Sequence, residues 1–331
     1  MNLLEFCGEI TNNFQRTLKR SVSFVGIGVH SGNLISVEIH PAPANTGIVF
    51  QRTDLPHKPY IAANPSAVFD TSLATRVGNS QVYVSTIEHL MASFFGFGID
   101  NALISINNSE MPILDGSSAP FLVLLNEAGI EELKEPRKVL IVEKTIEVLD
   151  EKNPTRFIRI EPSKKPLISY VIDFENVAAI GRQSVSMDYT AKAFCEYFSF
   201  ARTFGLKEEV DFLYSRGLAK GGSMENAIVV SRTEGVLNAQ GLRNEQEFVK
   251  HKILDCIGDL HLLGMPLLGH VIAHKAGHDL HNKLARALLE ETSARRIIVP
   301  SARESSRLKS LLTFPKSLSE VQVNLSGLAI G

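Results

Sequence analysis

No two cysteines lie close enough to form a CxxC pair. Cys7, Cys195 and Cys256 are the only three, an odd number at wide spacings, which argues against a disulfide framework and a cysteine zinc site and fits a reducing compartment. Neither sign of charge dominates. The 34 Lys and Arg residues against 36 Asp and Glu leave a net charge of -2, so there is no broad electrostatic footprint for nucleic acid or an acidic membrane, although a local basic pocket could still hold phosphate. No apolar run approaches the roughly 18 residues of a membrane span. The opening MNLLEFCGEITNNFQRTLKR carries Glu5, lacks an apolar core and shows no cleavage signature, so a secretory leader is not expected either. A soluble, cytoplasmic chain with no transmembrane segment and no nucleic-acid partner is the expectation.

What is present is an ordinary globular composition, 44% hydrophobic and 21% charged over 331 residues, with length for two cores rather than one. Residues 1–14 precede the first strand-like pattern and read as an N-terminal extension. SVSFVGIGV and LISVEIH cluster or alternate β-formers between Gly, Asn and Pro punctuation, as antiparallel sheet does. STIEHLMASFFGFG then reads as a helix ending at its glycines, NALISI as a strand and APFLVLLNEAG as a second helix. The charged stretch EELKEPRK, residues 131–138, breaks the pattern before the strand run VLIVEKTIEVL. A domain boundary is expected there, with a first domain over 15–134, a second over 139–300 and a C-terminal segment over 301–331. The second half repeats the order: strands near 139–190, a helix at AKAFCEYFSF, an irregular stretch to about 222, the strand NAIVVS, and a helix at FVKHKILDCIGDLHLLG. MENAIVVS (224–231) echoes IDNALISI (99–106), either as the trace of a duplication or as two unrelated strands after Asx-type turns.

The last helix puts ionisable groups into an apparent core segment. Asn244 and Glu247 have the form of a capping box, and Gly264 with Pro266 supplies a stop, so the helix is expected over about 245–263. Val249, Ile253, Cys256, Ile257 and Leu260 form an apolar stripe, while His251, Asp255 and Asp259 share another face at successive four-residue steps. Neighbours at that step stand about 5–6 Å apart at Cβ, within reach of one ion. His251 and Asp259 are separated by about 12 Å of rise, too far for two ligand bonds to one metal. His251 and Asp255 are therefore either a chelating pair or an (i, i+4) ion pair on a wet face. Glu88 and His89 stand side by side at a helix start, where Ser85 and Glu88 also fit a capping box. HKAGHDLHNKL places Lys275 and His278 near the start of a third helix.

These segments resemble the UDP-3-O-acyl-N-acetylglucosamine deacetylases of lipid A biosynthesis, through most of residues 15–290. The resemblance rests on QRTLKRSVSFVGIGVHSG, STIEHLMASFFGFGIDNA, EMPILDGSSAPF, AIGRQ, FARTFGLKEEVDFLYSRGLAKGGSMENAIVV, FVKHKILDCIGDL and HKAGH. It departs at Glu225, where an aspartate is the family's residue, and in about ten extra residues before the usual start. It implies an α+β fold of two similar domains, each a helix layer packed on a small, mostly antiparallel sheet, with the helices inward and the active site between the domains.

The resemblance further implies one catalytic zinc on His89, His251 and Asp255; three protein ligands leave a fourth position for water. It makes Glu88 the general base and His278 the cationic partner that stabilises the tetrahedral intermediate or protonates the departing amine. Asp259 would accept a hydrogen bond from His278, and Thr203 would donate its hydroxyl to the oxyanion. The substrate class is an acylated UDP-amino sugar. Lys252 and Lys275 would face its diphosphate and sugar end, and Phe174 would stack on uracil. Phe204, Leu206, Val210, Phe212 and Leu213 would contribute to an acyl passage walled by the insert near 205–222; each lysine is otherwise an exposed helix-end charge and each apolar side chain ordinary core. Two rival readings are a relative that binds sugar nucleotide around a structural metal without turnover, and a metal phosphohydrolase using the His278–Asp279 dipeptide. No role is assigned to His30, His40, His57, His261, His270, His274 or His281, and a monomer is expected.

Overall fold

The computed structural model describes residues 13–323; most of the expected N-terminal extension, Cys7 and the end of the C-terminal segment lie outside the described residues. Two five-stranded sheets organise the chain. The first contains β1 (Val22–Ile27), β2 (Leu34–Pro41), β3 (Ile48–Arg52), β4 (Tyr60–Ala62) and β5 (Ala102–Ile106), in the order β1-β2-β5-β3-β4. The second contains β6 (Ile146–Leu149), β7 (Phe157–Glu161), β8 (Leu167–Phe174), β9 (Gly181–Asp188) and β10 (His270–His274), in the order β6-β7-β10-β8-β9. Alternation sets the register: Ile35, Val37 and Ile39 of β2, and Ile168, Tyr170 and Ile172 of β8, point inward while their neighbours do not. A one-residue slip would turn each set outward.

Within each sheet the neighbouring pairs run antiparallel, antiparallel, parallel and antiparallel. A parallel pair needs a long crossover connection. In the first sheet that connection, from β3 to β5, carries α1 (Glu88–Phe97), and in the second, from β8 to β10, it carries α3 (Lys207–Ser215) and α4 (Glu247–His261). After the central strands come α2 (Ala119–Ala128) and α5 (His278–Glu290). The expected α+β architecture of two similar halves is thus present.

Of the two readings of the echo between IDNALISI and MENAIVVS, the structure agrees with two unrelated strands. NALISI is β5, whose equivalent in sheet order is β10, HVIAH. NAIVVS instead forms the strand Ile228–Ser231 in a three-stranded sheet, parallel to Phe204–Leu206 and antiparallel to Gly235–Val236.

Three further expectations change. The charged stretch 131–138 is not a break: Ile130–Pro136 is a strand antiparallel to Phe14–Leu18, with Glu132 bonded to the buried Arg16 at 3.1 Å. The stretch read as irregular to 222 contains the nine-residue α3, none of whose residues is buried. Neither capping box forms, because tertiary donors claim the carboxylates. Glu88 accepts the Thr75 N–H, while Ser85 donates to the Ser109 carbonyl. Glu247 accepts the Arg202 side chain at 2.9 Å and the Arg243 N–H at 2.6 Å.

Every residue of α1 is buried, and α1 packs directly on α4. Gly258 marks the closest approach, since a Cβ there would collide with the Glu88 carbonyl oxygen and lie 3.2 Å from Ala92 N. The crossing that brings the two helices together therefore lies beside the residues expected to do chemistry.

Candidate metal and acid–base site

Position on the α1–α4 crossing converts sequence neighbours into a cluster. His89 from the first turn of α1 and His251 with Asp255 from α4 place one donor atom each within 4.8 Å of one another, all three buried. Asp255 Oδ1 lies 3.6 Å from His89 Nε2 and 3.4 Å from His251 Nε2. The two imidazoles meet edge to face, with centroids 5.1 Å apart. Both His251 and Asp255 are 2% exposed, so this is not an ion pair on a wet face.

The hydrogen bonds fix what the cluster can hold. His251 Nδ1 is 3.0 Å from the Ala201 carbonyl oxygen, which can only accept, so the ring hydrogen is assigned to Nδ1 and Nε2 presents a lone pair. Burial pushes His251 down to about 3, against the pull of Asp255, so the ring is neutral. Burial also opposes ionising Asp255, but the Lys252 ammonium, 2.8 Å from Oδ2, holds it well below the usual carboxylate range. A lone pair and a carboxylate oxygen facing each other repel unless a cation lies between them. Two imidazole nitrogens and one carboxylate oxygen are a donor set that zinc accepts.

A second cluster lies one turn along α4. Asp259 Oδ2 accepts from His278 Nδ1 at 2.7 Å and from His281 Nδ1 at 2.8 Å, and Oδ1 accepts the Thr75 hydroxyl at 2.5 Å. His251 and Asp259 thus fall in different groups, as the helix rise requires. Burial opposes charge on Asp259, yet its two imidazole partners hold its pKa below the ordinary value. Burial would likewise lower His278, but Asp259, then Glu88 and Asp255, raise it to about 10. His278 Nε2 faces Glu88 Oε1 at 3.9 Å. Burial raises Glu88 against the opposing pull of His278 and His89, and a carboxylate made more basic in this way is better suited to take a proton.

The remaining expected residues surround these clusters unevenly. Phe204 lies over the site's edge, 6.2 Å from the His251 ring, 5.7 Å from Phe174 and 5.0 Å from Phe248 between centroids, with the Lys252 ammonium 5.7 Å above it. Thr203 is half-buried, two residues beyond the carbonyl that holds His251, and its N–H is fixed to the Gly116 carbonyl at 2.8 Å. Lys275 is already paired, to Glu175 at 3.2 Å and Asp173 at 3.4 Å. Leu206 is buried, Val210 packs over Gly205, Leu213 is half-buried, and Phe212 is 58% exposed on α3. Asp279, invoked in the phosphohydrolase reading, turns away to Arg156.

Sequence reasoning missed Thr75 and His281. Thr75 joins the two carboxylates, through its N–H to Glu88 and its hydroxyl to Asp259, from a segment with no local signal. His281 could have been found, since it follows His278 by three residues and faces the same side of a helix. Thr86, two residues before Glu88, is buried with a left-handed backbone (φ 59°) and a hydroxyl that has no partner among the described residues, a strained state for a β-branched residue.

The sequence model for "UDP-3-O-acyl N-acetylglycosamine deacetylase" matches residues 15–290. Proteins named UDP-3-O-acyl-N-acetylglucosamine deacetylase are similar over most of their length. The one from Acidithiobacillus ferrooxidans is 46% identical over 83% of this chain and 90% of its own. The one from Pseudomonas entomophila is 44% identical over 86% of this chain and 93% of its own. The one from Campylobacter hominis is 44% identical over 84% of this chain and 92% of its own. With that coverage, and with His89, His251 and Asp255 gathered at one helix crossing, the chain belongs to the UDP-3-O-acyl-N-acetylglucosamine deacetylase family.

Proposed function

We propose that the protein is a zinc-dependent deacetylase that hydrolyses the N-acetyl group of UDP-3-O-acyl-N-acetylglucosamine in lipid A biosynthesis. The observation that carries this reading is the adjacency of the His89, His251 and Asp255 donor set to the facing pair Glu88 and His278. A structural metal would need only the first group. When bound, zinc on those three ligands supplies Lewis acidity toward water and the amide carbonyl. Glu88 takes a proton from water as its oxygen bonds to the acetyl carbon. Thr203 is assigned the donor role toward the developing oxyanion. His278, kept cationic by Asp259, gives its Nε2 proton to the amine nitrogen as the carbon–nitrogen bond breaks; acetate and the free amine leave.

The paired lysines fit the sugar-nucleotide end. Exposed ion pairs contribute about 0–1 kcal/mol, so a diphosphate can draw Lys275 from Asp173 and Glu175 at small cost. Lys252 stands over Phe204 at the mouth of the site, Phe174 beside it is assigned to the base, and Leu206, Val210, Phe212 and Leu213 to the acyl chain. Among the described residues no helix is long and apolar enough to cross a membrane, and the lipid-like substrate is proposed to reach the site from the cytoplasm. The test is acetate release from the acylated UDP-sugar, with metal content measured on the same preparation. One equivalent of zinc with turnover is expected; zinc without acetate release would replace the catalytic reading with the structural-metal one.

A further inference from the structure

Asp259 Oδ2 is shared by two imidazoles, and the second belongs to a chain of contacts that closes on itself. His281, fully buried, puts Nδ1 on Asp259 at 2.8 Å and Nε2 3.0 Å from the Tyr170 hydroxyl. Tyr170 is also fully buried, at an inward position of β8, and its hydroxyl donates to the Ala276 carbonyl at 2.9 Å. Ala276 is two residues before His278. The circuit therefore runs from His278 through Asp259, His281 and Tyr170 back to the turn that carries His278. Volume-filling does not explain it, because an apolar side chain would fill the space of His281 without needing partners at both ring nitrogens.

We propose that His281, seated on Tyr170, is a positioning residue that sets how firmly Asp259 holds the proton of His278. This rests on the deacetylase reading above. Both Nδ1–H groups draw on the same carboxylate oxygen, so each weakens that oxygen's hold on the other. Without His281, Asp259 belongs to His278 alone, which then keeps its proton to higher pH and gives it up less readily to a leaving amine. The groups facing His281 are Asp259 from α4, Tyr170 from β8 and His278 from its own helix. Burial, with Cys256, Asp255 and Asp279 nearby, keeps the Tyr170 phenol protonated. Thr75 completes the shell of Asp259. Glu88 from α1 faces His278 Nε2 at 3.9 Å.

The experiment compares His281→Phe, which lacks a donor, with His281→Asn, whose amide places a donor near the Nδ1 position. Acetate release by the zinc-loaded proteins is followed against pH. In His281→Phe the alkaline limb of kcat/KM is expected to move up by about one pH unit, and kcat to fall by about tenfold with KM little changed. His281→Asn is expected to return both toward wild type. A folded His281→Phe protein with an unmoved limb, or two variants that behave alike, overturns the proposal. If His281→Phe does not fold, proton NMR of the wild-type holoenzyme decides. Two far-downfield imidazole N–H signals, both lost in Asp259→Asn, support the shared carboxylate, and a single one overturns it. The NMR arm needs no turnover, so a wild type that releases no acetate sinks the deacetylase reading separately.

Discussion

The sheet from β1 to β5 and the sheet from β6 to β10 pass through the same strand order and the same sequence of antiparallel and parallel pairs, but their crossover helices differ in chemistry. In α1 only Glu88 and His89, both in the first turn, are ionisable, and the rest is apolar or small. In α4 a buried helix carries His251, Lys252, Asp255 and Asp259 along one side. One half thus brings the Glu88 carboxylate and one donor of the His89 cluster at a helix start, and the other brings the remaining two donors, His251 and Asp255, plus the Asp259 carboxylate bonded to His278. Neither half could assemble the site alone. The comparison teaches that a repeated scaffold fixes where two helices meet, while the chemistry comes from the different side chains each brings to the crossing.

The largest expected effects come from taking one residue from each helix. His251→Ala should strip the metal and abolish acetate release, as elemental analysis and the turnover assay would show together. Glu88→Ala should keep its metal and lose about 10²–10⁴-fold in kcat, the usual span for a general base. If Glu88→Ala loses metal as His251→Ala does, the division of labour between the halves is wrong.

The pair that charges His278 gives the next effect, and its sign follows from the pKa directions. His278 is raised from its ordinary 6.5 to about 10, so its contribution to stability is fully present below about 6.5 and is lost as pH rises through about 10. Asp259 is depressed, so its contribution is present above the ordinary carboxylate range and is lost as acid protonates it. Asp259→Asn should therefore move the alkaline limb of kcat/KM down, opposite to the effect of His281→Phe, and lower kcat by about 10–100-fold, the scale of losing a supporting partner. An unmoved limb would leave His278 charged by something other than Asp259.

How much of this was legible follows from what kind of signal each residue left. The four-residue spacing of His251, Asp255 and Asp259 survives into the structure because helix rise is fixed. Helix ends were legible where glycine takes a left-handed backbone, as at Gly98 (φ 63°), and capping boxes were not, because a carboxylate near Thr75 or Arg202 has better offers than its own helix. Thr75 reaches Asp259 across 184 residues of sequence, a contact that no local pattern encodes. The equivalence of the two halves was not legible strand by strand, because the central strands β5 and β10 share sheet position and direction rather than sequence.

Gly258→Ala tests the crossing itself. Its Cβ would press on the Glu88 carbonyl, and overpacking of this kind costs about 1–3 kcal/mol. A melting temperature lower by several degrees is expected, with kcat reduced further than stability alone explains, because Glu88 and its neighbour His89 are what the helix shift displaces. A variant that melts early but turns over normally would show that the crossing sets stability and not the site.

The smallest effect on the fold should come from α3, the element the first half has no counterpart for: the equivalent stretch, between β4 and α1, holds the 3-10 turn Pro65–Ala67 and the short strands Val68–Asp70, Arg76–Gly78 and Tyr83–Val84. Phe212 is 58% exposed on α3, so Phe212→Ser should change stability by no more than about 0.5 kcal/mol. If α3 walls the acyl passage, that ring is covered by the substrate's chain, and covering a phenylalanine is worth about 1.5–3 kcal/mol. KM for a long-acyl substrate should then rise by roughly tenfold or more, while a substrate with a truncated chain should not distinguish variant from wild type. Equal losses on both substrates would remove α3 from the passage and make the difference between the two halves one of decoration rather than of specificity.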